Sequence, residues 1–103
     1  MSRSVIEEDL TVEGNIASPE GDIEVKGRVT GDITSRSVEV HVAGKVDGAI
    51  SATEVTIQGN HSGRIDCTSL SLDKTAEVKS DVKAQTLSSE KGARLVGKVQ
   101  ITG

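Results

Sequence analysis

The run Gly92-Ala-Arg-Leu-Val-Gly97-Lys98 carries the first seven positions of a phosphate-binding loop. In such a loop glycines let backbone N–H groups cradle a nucleotide while the lysine reaches its phosphates. The next position requires a Ser or Thr to ligate magnesium, and here it is Val99. No helical periodicity follows that would bring a helix N-terminus to the phosphate, so no nucleotide is expected. Histidine offers a second chemistry, since a lone imidazole can ligate a metal or act as a proton switch. The chain has two, His41 and His61. His41 falls in a turn segment and shares no position with His61, so neither a two-histidine metal site nor a bound cofactor is expected. His61 reads instead as an accommodated or outward-tilted residue. Cys67 is the only cysteine, which rules out an intramolecular disulfide and a four-cysteine zinc site. It would become a nucleophile only with an activating base beside it. No catalytic set and no metal set is therefore expected.

His61 and Cys67 both stand inside a repeat, and the repeat decides where they point. Gly14, Gly31, Gly48, Gly63, Ser80 and Gly97 are spaced by 17, 17, 15, 17 and 17 residues. Ile16, Ile33, Ile50, Ile65, Val82 and Val99 follow them in register, and Val12, Val29, Val46, His61, Val78 and Leu95 precede them. Three further columns complete the unit. They are Ile23, Val38, Val55, Leu70 and Leu87; Val25, Val40, Ile57, Leu72 and Ser89; and the mostly small set Ser18, Ser35, Ala52, Cys67, Ala84 and Ile101. Apolar and polar residues alternate within each copy, the period of a strand with one buried face. Some copies carry two extra residues between their halves, as in Val40-His41-Val42-Ala43-Gly44 against Val25-Lys26-Gly27. A two-residue insertion leaves the inward face inward.

Composition agrees. The 103 residues contain no Phe, Tyr or Trp, and Val plus Ile outnumber Leu plus Met by 21 to 6. β-branched side chains fit pleated, half-buried surfaces. A net charge of −4 and the lack of any aromatic argue against nucleic-acid binding. The opening Met1-Ser-Arg-Ser-Val-Ile-Glu-Glu-Asp lacks the apolar core of a signal peptide, and no apolar run approaches the roughly 18 residues of a membrane span. The expected location is the cytoplasm.

A unit of 15 to 17 residues cannot bury its own apolar face, whereas stacked units can. The predicted fold is all-β: a single parallel β-helix of about six windings. The spacing of aliphatics does not fit the hexapeptide rule of left-handed helices, and the general preference for right-handed crossovers sets the expected hand. Residues 1–9 are read as a short lead and 10–103 as the core. Nothing in the sequence predicts a cap over either terminal winding, so each is expected to present unpaired backbone and apolar side chains. The expected contact residues are Ile6, Leu10, Val12 and Ile16 at one end and Leu87, Leu95, Val99 and Ile101 at the other. Residues 1–50 hold ten acids and five bases, and 51–103 six acids and seven bases, which favours head-to-tail contact.

Ile6-Glu-Glu-Asp-Leu-Thr-Val-Glu-Gly-Asn-Ile, Ile23-Glu-Val-Lys-Gly-Arg-Val-Thr-Gly-Asp-Ile and Lys91-Gly-Ala-Arg-Leu-Val-Gly-Lys-Val resemble the bactofilins, polymer-forming cytoskeletal proteins of bacteria. The resemblance covers roughly residues 4 to 101. It implies a right-handed β-helix that polymerises end to end without nucleotide. It further implies a scaffold of cell shape that places cell-wall enzymes or other partners at the inner membrane face. The family often has a Phe where this chain has Leu95, and some members bind membrane through a short apolar N-terminal motif. Val5 and Ile6 are followed at once by Glu7, Glu8 and Asp9, which anionic lipid would repel, so any membrane association is expected to be weak. The competing reading is a β-helical enzyme subunit, acyltransferase-like or carbonic-anhydrase-like, with its site between subunits. That reading needs three histidines on a metal or one in a cleft, and two unaligned histidines argue against it.

Overall fold

The computed structural model describes residues 3–101, and for 3, 4 and 18–20 the backbone alone. Among the described residues there is no helix. The strands are β1 (Arg3–Ile6), β2 (Thr11–Glu13), β3 (Ile16–Val25), β4 (Arg28–Thr30), β5 (Ile33–Val40), β6 (Lys45–Ile57), β7 (Asn60–Leu72), β8 (Glu77–Ala84), β9 (Thr86–Ser89), β10 (Arg94–Val96) and β11 (Val99–Ile101). They pair in parallel and wind into a solenoid of about six turns with three walls. The first wall stacks β2, β4, the starts of β6, β7 and β8, and β10. The second stacks the starts of β3 and β5, the middles of β6 and β7, the end of β8, and β11. The third stacks β1, the ends of β3, β5, β6 and β7, and β9.

The columns read from the sequence are the ladders of these walls. Val12 lies over Val29, Val46, His61, Val78 and Leu95. Ile23 lies over Val38, Val55, Leu70 and Leu87. Stacking places like side chains about 4.8 Å apart, so each interior aliphatic is enclosed by its neighbours above and below as well as by the opposite walls. Val29, Ile33, Val46, Ile57, Ile65 and Val78 are fully buried as a result. Each such side chain contributes roughly 1.5–3 kcal/mol relative to leaving it in water. Six windings at about 4.8 Å make a rod about 29 Å long, which matches the longest dimension of the molecule, 29 Å.

Glycine turns the corner between the first and second walls. Gly48 has φ +132°, and a Cβ there would run into the carbonyl oxygen of Gly31 in the winding below. No L side chain fits either constraint. The corner between the third and first walls comes in two lengths, as the insertions predict. The long form closes on a backbone hydrogen bond, from the Gly44 N–H to the His41 carbonyl at 2.8 Å and from the Ala76 N–H to the Asp73 carbonyl at 2.9 Å. The first winding differs: its two extra residues sit at the other corner, where the register shifts between Ser18 and Asp22. The sheet also starts earlier than the repeat does. β1 lies in the segment read as a lead, and its Ile6, paired with Val25, is buried.

Candidate self-assembly ends and a buried histidine

The residues expected at the two ends separate into two kinds. At the C-terminal end, Leu87, Leu95, Val99 and Ile101 are each the last rung of their ladder, over Leu70, Val78, Val82 and Ala84. Leu87 and Leu95 are half-buried against the core, whereas Val99 and Ile101 are 39% and 49% exposed. At the N-terminal end, Val12 and Ile16 are half-buried first rungs over Val29 and Ile33, and Ile6 is the first rung over Val25. Leu10 belongs to no inward ladder; it sits in a corner, and its N–H donates to the Glu7 carbonyl at 3.0 Å. It is 48% exposed.

Two further exposed apolar residues of the end windings face outward and so lie outside the inward columns. Val96 stands over Lys79, at the end of an outward ladder that runs through Thr30, Asp47 and Ser62. Val5 opens the outward ladder of Glu24, Glu39, Thr56 and Ser71. In each ladder one terminal rung is valine, and every other rung, with Glu13 and Ser88 at the opposite ends, is polar or charged. The outward columns of the sequence carry that signal. A valine on the solvent face of an end rung gains nothing unless something covers the end, and both end rungs leave one row of strand N–H and C=O groups without a strand partner among the described residues.

The phosphate-loop match forms an ordinary solenoid corner. Gly97 has φ +132°, β11 follows it directly, and the Lys98 N–H is 3.3 Å from the Asp81 carboxylate. The Asp81 carboxylate accepts from that N–H, and a strand rather than a helix follows the corner.

His61 points inward, not out, and is 1% exposed between Val46 and Val78. Its Nδ1 lies 3.2 Å from the hydroxyl of Ser80, itself buried. These two residues are the exceptions in the valine and glycine columns, and they accommodate each other. Nε2 has no hydrogen-bond partner. Burial pushes the imidazole down to about 4 against the smaller opposing pull of Asp47 and the Gly48 backbone. A histidine and a serine this close could in principle make a nucleophile and its base, but both are sealed from substrate. Cys67 is equally inert: burial, with Asp66 adding to it, pushes the thiol up to about 11.

The His61 shift has a measurable consequence. Between about 6.5, the ordinary value, and 4 the unfolded chain binds a proton that the folded chain does not, so stability rises with pH over that window. Acidification from pH 7 to 4 is expected to remove about 3 kcal/mol through this residue. Urea unfolding at a series of pH values checks it: His61→Val should flatten that part of the profile, and an unchanged acid limb would show that another group causes it.

The described residues form a parallel β-solenoid of about six turns whose walls carry mostly polar side chains outward. A profile for the bactofilins, described as polymer-forming cytoskeletal, matches residues 4–100. The chain belongs to the bactofilin family. Among curated proteins and solved structures nothing matches it.

Proposed function

We propose that the chain is a cytoskeletal scaffold whose activity is its own end-to-end polymerisation, driven by apolar stacking of terminal windings and independent of nucleotide. The observation that carries this reading is that, among the described residues, the exposed large apolar side chains gather in the first and last windings, as Val5, Leu10, Val96, Val99 and Ile101, with Val42 the one such residue in an interior corner. Stacking that does not close on itself gives an open fibre. The corner at Gly97 and Lys98, followed by Val99 and a strand where a phosphate loop has Ser or Thr and a helix, supports the absence of a nucleotide step. The polar walls would remain free along the filament to hold other proteins. The family resemblance suggests cell-wall enzymes at the inner face of the membrane. Among the described residues no helix is long and apolar enough to cross a membrane.

Sedimentation of the purified, nucleotide-free chain tests the proposal. The pelleted fraction should be the same with and without ATP or GTP and magnesium, and the same for Lys98→Ala. Assembly that begins only on adding nucleotide, and that Lys98→Ala abolishes, would contradict it.

A further inference from the structure

The outward ladder that begins at Val5 places Glu24 of β3 directly beneath Glu39 of β5, one rung apart. His41, in the long corner that follows β5, folds back over the same pair. One ligand atom from each of Glu24, Glu39 and His41 lies within 4.8 Å of the other two. His41 Nε2 is 3.9 Å from Glu24 Oε2, too far for a hydrogen bond, and this nitrogen is enclosed yet has no hydrogen-bond partner. Glu24 is 8% exposed, unusually buried for an outward-facing carboxylate. The Gln58 amide donates to Glu39 Oε1 at 3.5 Å.

We propose that Glu24, Glu39 and His41 bind a divalent transition-metal ion of the zinc type. Metal–nitrogen and metal–oxygen bonds of about 2.0–2.2 Å put the donors of a tetrahedral site about 3.3 Å apart, so the three atoms need only side-chain rotation to close on an ion. One imidazole and two carboxylates suit zinc, cobalt or manganese; calcium requires six to eight oxygens, which this site does not offer. A cavity of about 300 Å³ lined by Glu8, Lys26, His41, Val42, Ala43 and Gln58 adjoins the histidine and gives an ion a route in and a water for its fourth position. Lys26 is the one cation in that lining. Because Glu24 belongs to the first winding while Glu39 and His41 belong to the second, the ion ties together the two windings at the N-terminal end of the rod.

The test uses the full chain stripped with EDTA and then titrated with zinc chloride. At zinc a hundredfold above its dissociation constant, the thermal midpoint should rise by about 10 °C or more. Glu39→Gln and His41→Gln, both part-exposed positions where substitution leaves the fold intact by circular dichroism, should each abolish the rise, and His61→Val should keep it. Cobalt should give visible absorption of a nitrogen–oxygen site, without the thiolate band that Cys67 would add, and His41→Gln should erase it. No midpoint shift, a shift that survives both substitutions, or an equal shift with calcium would overturn the assignment.

Discussion

Val46→Arg should leave no folded rod at room temperature. Val46 is fully buried in the third of six windings, with Val29 on one side and His61 on the other. Rungs about 4.8 Å apart leave no gap through which a longer side chain could reach water. Enclosing an unpaired guanidinium costs several kcal/mol, and overpacking adds roughly 1–3 more. The sum is comparable to the whole stability of a domain of this size, about 5–15 kcal/mol. The position aggravates the loss. A solenoid is held by nearest-neighbour interfaces, so a failure in the third winding parts the first two windings, too few to bury a core, from the last three, which only just reach the number needed. Far-UV circular dichroism should show the strand signal gone; a cooperative transition within a few degrees of the parent would contradict the enclosure of this ladder.

Leu95→Arg carries the same chemical change and should have a different outcome. Leu95 has a ladder neighbour, Val78, on one side only, and it is half-buried. In an isolated rod the arginine can swing past the open end into water, so strand content should survive. In a stacked filament that opening is covered, and the same charge would be enclosed at each junction. A cost of several kcal/mol there lowers the association constant by two to three orders of magnitude at about 1.4 kcal/mol per tenfold. The variant should remain in the supernatant under conditions that pellet the parent, with an unchanged circular dichroism spectrum. Filaments of ordinary length from Leu95→Arg would mean that the C-terminal winding does not join the subunits.

The contrast between these two positions was legible in the sequence because solenoid stacking converts spacing into contact. Once Val12, Val29, Val46, His61, Val78 and Leu95 fall in one column, the interior and terminal rungs are known without coordinates. The windings, their inward faces and the long and short corners followed from that alone. Other features depend on contacts that no column describes. The extra residues of the first winding lie at a different corner from the rest, between Ser18 and Asp22, and this hides the relation between Ile6 and Val25 that makes β1 part of the sheet. The pairing of His61 with Ser80 runs diagonally between windings, so the two column exceptions were visible while their contact was not. The Glu24, Glu39 and His41 cluster escaped for a related reason. Its carboxylates occupy an outward ladder and its imidazole a corner, and only the fold of that corner brings the histidine over the ladder.

The most direct test of end-to-end stacking is the axial repeat of the polymer, read from electron micrographs or fibre diffraction of the purified chain. Six rungs at about 4.8 Å predict a subunit repeat near 29 Å if unlike ends join, or near twice that if like ends join, with the 4.8 Å spacing continuing through the junctions along the filament axis. The other two dimensions of the molecule are 24 Å and 20 Å. A repeat at either of those values, with the rung spacing lying across the axis instead of along it, would show subunits packed side by side and contradict the account.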